Sequence, residues 1–187
     1  MGISVVLAGG RGSRLGGAKA GVLLAGRPLI EHVLEAVRAG GLEPMVVAKR
    51  DSALPPLDCR VVFEPARPQH PLCGIVAGLR AAGEPAVVVC ACDMPYLNGE
   101  LLAWLSRLQT PLAVASAGGW IQPLLGRYSA SLLDQLEAQL AAQAPMRAVA
   151  RVLGAQVLGE AELEPFGDPA RLCLSINTRE ELAAAGG

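Results

Sequence analysis

The chain has almost no excess charge, very little histidine and no long apolar run. Its 187 residues carry 16 Lys and Arg against 17 Asp and Glu, for a net charge of −1. That balance offers no electrostatic case for a nucleic acid or an anionic membrane as partner. The longest apolar stretches, such as Ala86 to Cys92, fall far short of the roughly 20 residues needed to span a bilayer. No basic leader and cleavage site precede the first apolar run, so no secretory signal is expected and the expected location is the cytosol. Only two histidines occur, His32 and His70, and neither belongs to a recognisable catalytic triad. His32 lies among acidic neighbours within a helical pattern and is expected to be a surface or hydrogen-bonded residue.

Disulfide and zinc frameworks are absent as well. The five cysteines (Cys59, Cys73, Cys90, Cys92 and Cys173) are odd in number and follow no framework spacing. Cys90 and Cys92 alternate onto one face of a predicted strand. A metal pair is conceivable there, but no second pair or histidine cluster completes a zinc set, and small buried hydrophobes are the better reading. There is no internal repeat, low-complexity tract or linker. A chain of this length is expected to form one domain with a substantial core.

What the sequence does have is a glycine-rich loop near its start. Ile3, Val5 and Val6 mark a short buried strand. It runs into Gly9, Gly10, Gly12, Gly16 and Gly17, with Arg11, Arg14 and Lys19 threaded among them. Glycines let backbone N–H groups approach a ligand closely, and three cations beside them suit a polyanion such as a phosphate chain. The alternative is a solvated turn between strand and helix. The loop is neither of two better-known phosphate motifs: Lys19 is followed by Ala20 rather than Ser or Thr. Counting from Gly10 and Gly12, Leu15 stands where a dinucleotide fingerprint needs its third glycine.

Strand and helix patterns then alternate. Strands are expected at Met45–Ala48, Arg60–Phe63, Val87–Ala91 and Leu112–Ala115, with extended structure over Trp120–Tyr128. Helices are expected from Pro28 to about Ala39, and over Cys73–Ala82, Gly99–Arg107, Ala130–Ala142, Pro145–Leu153 and Arg179–Ala184. Residues 154–175 read as strand-like fragments broken by Pro165 and Pro169. The alternation predicts an α/β fold with a mostly parallel sheet and helices on both faces. Ligands in such sheets sit at the carboxyl ends of strands, where both the glycine loop and Asp93 fall. A carboxylate there suits Mg²⁺, a hard cation that uses one or two carboxylates and leaves other positions to phosphate and water. The other reading of Asp93 is a turn former or helix cap.

Several stretches resemble nucleotidyltransferases of the molybdenum cofactor guanylyltransferase family. They are Leu7-Ala8-Gly9-Gly10, then Arg14, Gly16-Gly17 and Lys19, then Gly26-Arg27-Pro28-Leu29. Further down come Pro71-Leu72-Cys73-Gly74, Cys92-Asp93-Met94-Pro95-Tyr96, Gln122-Pro123-Leu124 and Ile176-Asn177-Thr178. The resemblance runs in family order from residue 3 to about residue 183. It implies a three-layer nucleotidyltransferase fold and GMP transfer from GTP to the terminal phosphate of molybdopterin, with Mg²⁺ as cofactor. It implies nucleotide contacts at Leu7, Ala8, Gly9, Gly10, Lys19, Glu64 and Asp93, and catalytic roles for Arg14, Lys19 and Asp93. Asp93 becomes the metal ligand, and Gln122 and Asn177 fall on the substrate side. For Asn177 a plain turn-forming role is the alternative. A phosphate nucleophile is already anionic near neutral pH, its second pKa being about 6, so no histidine base is required.

The chain departs from the family in four places. Ala18 stands where the loop usually has an aspartate, and the loop is one residue shorter. Val47-Ala48-Lys49-Arg50 replaces a region with asparagines that helps hold the base. Glu64 replaces an aspartate, and Ser175 an asparagine. Cytidylyl transfer to the same acceptor, nucleotidyl transfer to another phosphorylated small molecule, and a catalytically silent nucleotide-binding protein are the competing readings. Ala8-Gly9-Gly10, where the cytidylyl loop tends to read Ala-Ala-Gly, favours guanine.

Overall fold

A computed structural model describes residues 2–10 and 19–186. The chain begins in β1 (Ile3–Leu7), whose burial is almost complete, as expected of a central strand. After Lys19 comes a short hairpin of β2 (Leu23–Leu24) and β3 (Arg27–Pro28). Its two-residue turn takes Ala25 and Gly26 to φ of 50° and 79°, the left-handed pair that tight hairpins need. Pro28 caps α1 (Leu29–Ala39) from just outside the helix, one position earlier than the sequence suggests. His32 Nε2 lies 3.1 Å from the Leu24 carbonyl, so this histidine is hydrogen-bonded as expected.

There follow β4 (Glu43–Ala48), β5 (Arg60–Phe63), α2 (Pro71–Ala82), β6 (Ala86–Ala91) and α3 (Gly99–Arg107). Helix α2 starts two residues before the expected Cys73. Proline is well suited to a first helical position, where no intrahelical N–H bond is lost, and His70 supplies the cap. The remaining sheet strands are β7 (Leu112–Ala117), β8 (Trp120–Ser129) and β9 (Gln156–Leu158), with α4 (Leu133–Ala141) and α5 (Met146–Val152) between the last two.

The strand-like expectation for residues 154–175 is corrected beyond β9. The chain there forms α6 (Glu160–Leu163), a 3₁₀ turn at Glu164–Phe166 and α7 (Pro169–Leu172). Pro165 and Pro169 do not break strands; each sits in the first turn of a short helix, where its fixed φ is compatible. The chain closes with α8 (Arg179–Ala185). Thr178 caps it, and Glu181 reaches back to the Asn177 and Thr178 N–H groups at 2.6 and 3.0 Å.

Seven strands form one sheet in the order β5-β4-β1-β6-β8-β7-β9. Only β8 runs against its neighbours among them; the β4–β5, β1–β4, β1–β6 and β7–β9 pairs are parallel. Alternate residues feed two cores. Val6, Val46, Val88 and Cys90 pack with α1 and α3, while Val5, Met45, Val47 and Val89 pack with α2, α4 and α5. The expected α/β fold with covered faces is therefore present. Cys90 and Cys92 are both buried in the first core, and burial raises the Cys90 thiol to about 12.

Helix α2 presses on β1 because it is lined with small residues. A Cβ on Gly78 would come within 2.6 Å of Val5 Cγ1, and one on Gly74 within 2.7 Å of Leu7 Cδ2. That close approach brings the start of α2 beside the carboxyl end of β1. Among the described residues no helix is long and apolar enough to cross a membrane.

Candidate active site

β1 and β6 lie side by side in parallel register, Leu7 opposite Ala91, so the segments leaving both strands meet at one edge. The crossing is fixed by backbone bonds. Cys92 N–H donates to Leu7 O (3.0 Å), and Ile176 N–H, arriving from the far end of the chain, donates to Asp93 O (2.9 Å). Asp93 thus hangs over the edge with a side chain only 6% exposed. Lys19 forms an ion pair with its carboxylate and donates a second hydrogen bond to Asn177 Oδ1 (2.6 Å). Asn177 Nδ2 in turn donates to Ser175 O (3.0 Å), which sets the orientation of the amide. Three residues separated by 74 and 84 positions in sequence therefore form one connected polar group.

Beside this group lies a cavity of about 480 Å³. Leu7, Gly9, Gly10, Lys19, Glu64 and Asp93 all line it. Gly10 has open space where a Cβ would stand, whereas a Cβ on Gly9 would strike the Glu64 carboxylate. The beginning of α2 also reaches the cavity, through His70, Pro71 and Gly74. The amino end of a twelve-residue helix adds positive potential there. His70 Nδ1 accepts from Leu72 N–H (3.2 Å). Its Nε2 therefore carries the proton and donates to Ala144 O (3.0 Å), so this histidine is a structural clasp.

Two expected site residues fall elsewhere. Ala8 turns into the core and commits its N–H to Val47 O (2.8 Å), so it does not line the cavity. Gln122 faces a second, neighbouring groove together with Met94 and Ser175. Arg14 lies outside the described residues.

Sequence reasoning missed the second charged pair. Lys49 lies at the end of β4 and is 8% exposed. Its ammonium donates to Pro65 O (2.9 Å) and Ala66 O (3.4 Å) and sits 3.3 Å from Glu64 Oε1. Three acceptors occupy its three N–H groups. Burial pushes the Glu64 carboxyl above its ordinary value, with Lys49 pulling the other way. The pair spans neighbouring parallel strands, and no local spacing marks it in the sequence. Lys49→Met leaves Glu64 buried without its counter-charge and is expected to cost about 3 kcal/mol of stability, measured by urea unfolding. Adding Glu64→Gln should restore part of that loss, because the uncompensated charge is then gone.

An α/β sheet with a glycine-led strand end, facing a lysine-paired aspartate over a cavity of this size, defines a nucleotide-handling protein of the nucleotidyltransferase type. Residues 4–158 match the MobA-like NTP transferase domain. The chain is 36% identical over 193 residues to the molybdenum cofactor guanylyltransferase of Cereibacter sphaeroides, covering 97% of this chain and 93% of that one. It is 38% identical over 144 residues to the Pseudomonas putida protein of the same name, covering 74% and 75%. The solved structure of molybdopterin-guanine dinucleotide biosynthesis protein A from Archaeoglobus fulgidus superimposes with a TM-score of 0.81 at 25% identity, over 98% of this chain and 96% of that one. The chain belongs to the MobA-like NTP transferase family.

Proposed function

We propose that this protein transfers GMP from GTP to the terminal phosphate of molybdopterin, forming the guanine dinucleotide of the cofactor and releasing pyrophosphate. The observation that carries the reading is the Lys19–Asp93–Asn177 group, whose lysine and aspartate line the same cavity as Gly9 and Gly10. In the reaction an oxygen of the acceptor phosphate bonds to the α-phosphorus of GTP. The bond from that phosphorus to the oxygen bridging the β-phosphate breaks, and its electron pair leaves with pyrophosphate. The nucleophile arrives ionised, so the chain has to supply alignment and positive charge rather than a base. Lys19 and Arg14 are assigned to the charge moving onto the leaving group. The backbone of Gly9 and Gly10 is assigned to holding the nucleotide, and Glu64 to accepting a hydrogen bond from it.

The donor set suits Mg²⁺. Asp93 offers a hard oxygen at the cavity, and among the described residues no cluster of three acidic, histidine or cysteine side chains competes for a metal. A single carboxylate is sufficient where substrate phosphates and water fill the remaining positions. When bound, Mg²⁺ would neutralise phosphate charge beside Asp93. Lys19 now holds that carboxylate, so a cation there would leave the ammonium free to turn toward phosphate.

Purified protein supplied with molybdopterin and Mg²⁺ is expected to release pyrophosphate with GTP and to prefer GTP over CTP in competition. The cavity's backbone groups carry much of that preference, because asparagines are absent after β4. Equal use of the two nucleotides would move the protein to cytidylyl or unselective transfer. No release with either would leave a nucleotide-binding protein without this activity.

A further inference from the structure

Asn177 belongs to a segment pinned on both sides. Just before it, Ile176 N–H donates to Asp93 O (2.9 Å), and the Ile176 side chain is fully buried with Leu24 and Leu29 in a small third core. Val22 packs against that core. Its N–H donates to Lys19 O (3.3 Å), and its carbonyl accepts from Leu29 N–H (2.8 Å). The turn bearing Lys19 and the segment bearing Asn177 therefore stand on one support. Helix α8 completes that support with Leu182 and Ala185.

Glu181 does more here than a helix cap requires. In a capping box the acidic side chain at the third helical position accepts from the N–H of the capping residue, here Thr178 at 3.0 Å. The same oxygen, Oε2, also accepts from Asn177 N–H, one residue outside the cap, and that bond is the shorter at 2.6 Å. Bonds to a carboxylate are charge-assisted and stronger than neutral ones. Three consecutive N–H groups, at Ile176, Asn177 and Thr178, are thus held by Asp93 O and Glu181. With its backbone fixed, Asn177 offers Oδ1 to Lys19 while Nδ2 bonds to Ser175 O.

We propose that Glu181 is a positioning residue: it fixes the backbone of Asn177, and through the Asn177 amide it places the Lys19 ammonium beside Asp93. The kinetic consequence rests on the transferase reading above; the geometric one does not. Glu181 acts through Asn177 rather than on a substrate. Its effect therefore falls on the chemical step that Lys19 serves, not on nucleotide binding.

Glu181→Ala should slow single-turnover pyrophosphate release about tenfold while leaving the KM for GTP alone. Glu181→Gln should recover most of that rate, because glutamine completes a capping box as glutamate does. Both variants should keep α8 docked, since Leu182, Ala185 and the bond from Tyr96 Oη to Ala185 O (2.7 Å) do not involve Glu181. Loss of the cap should lower the thermal midpoint of Glu181→Ala by a few degrees whether or not Asn177 is present. The rate should behave differently: in an Asn177→Ala background, removing Glu181 should slow release no further. Losses that multiply, or an unchanged rate in Glu181→Ala, would leave Glu181 as a cap only and overturn the proposal. A second readout needs no transfer. In the nucleotide-free protein the NMR signal of the Asn177 side-chain amide, identified by its loss in Asn177→Ala, should move in Glu181→Ala and return in Glu181→Gln. If the wild-type protein releases no pyrophosphate, the transferase reading fails and that signal decides: its displacement supports the role of Glu181, and its constancy overturns it.

Discussion

Asp93→Asn is expected to lower turnover by at least 100-fold, on the order seen when a preorganised charge is removed from a reacting centre, with the fold retained. The amide keeps the size of the carboxylate. The backbone bond from Ile176 to Asp93 O does not involve the side chain, so the crossing of the two chain ends should survive. What is lost is the charge that balances Lys19 and the hard oxygen assigned to Mg²⁺. Lys19 is not left isolated, since Asn177 Oδ1 still accepts from it and its side chain is 17% exposed. The stability cost should therefore stay near 1–2 kcal/mol, below that of stranding a fully buried charge. Pyrophosphate release at limiting and saturating Mg²⁺ is the measurement. Near-wild-type release at limiting Mg²⁺ would falsify the assignment of Asp93 to the metal.

The two charged pairs at the cavity differ in how each could have been found. Lys19 and Asp93 are 74 residues apart, but each ends a motif: a glycine loop after β1 and a carboxylate after β6. Parallel alternation of strands and helices then brings both to one sheet edge, so their meeting follows from the fold class. Asn177 carries no such periodic signal, and only the resemblance singled it out. In the sequence Lys49 stands only as a departure from a familiar pattern, and Glu64 as a departure that the resemblance still makes a nucleotide contact. Their pairing depends on β4 and β5 being neighbours in register, which sequence spacing does not express.

The same contrast holds for the secondary structure. The bounds of β5 and α3 agree with the sequence pattern: β5 centres on the β-branched pair Val61 and Val62, half-buried against the two cores, and α3 has an unambiguous cap. For α3 that cap is Asn98, accepting from Leu101 N–H at 3.0 Å. Residues 154–175 misled because α6 and α7 are four residues each, too short to display a helical period. Their starts are set instead by local chemistry, in Glu162 bonding back to Gly159 N–H and Asp168 accepting from Ala170 N–H. Proline in such a segment marks a helix entry as readily as a strand break.

Lys19→Ala should slow the chemical step by about 2–4 kcal/mol, roughly 30- to 1,000-fold, if the ammonium follows the charge moving onto pyrophosphate. The resting geometry adds an expectation of opposite sign. Lys19 at present neutralises Asp93 and competes with any cation for that carboxylate. Removing it should therefore tighten Mg²⁺ binding to the nucleotide-free protein while lowering the rate, a combination that general loss of structure would not produce. Titration with Mg²⁺ or Mn²⁺ in the absence of GTP reads the first effect, and single-turnover kinetics at saturating GTP read the second. Lys19→Arg is the sharper variant. A guanidinium keeps the charge, but its wider fork fits poorly between Asp93 and an Asn177 oxygen that accepts at 2.6 Å. Partial activity in Lys19→Arg together with a slow Lys19→Ala would assign the role to charge placed by geometry. An unchanged single-turnover rate in Lys19→Ala would remove the lysine from the chemistry and leave it as the partner that keeps Asp93 in position.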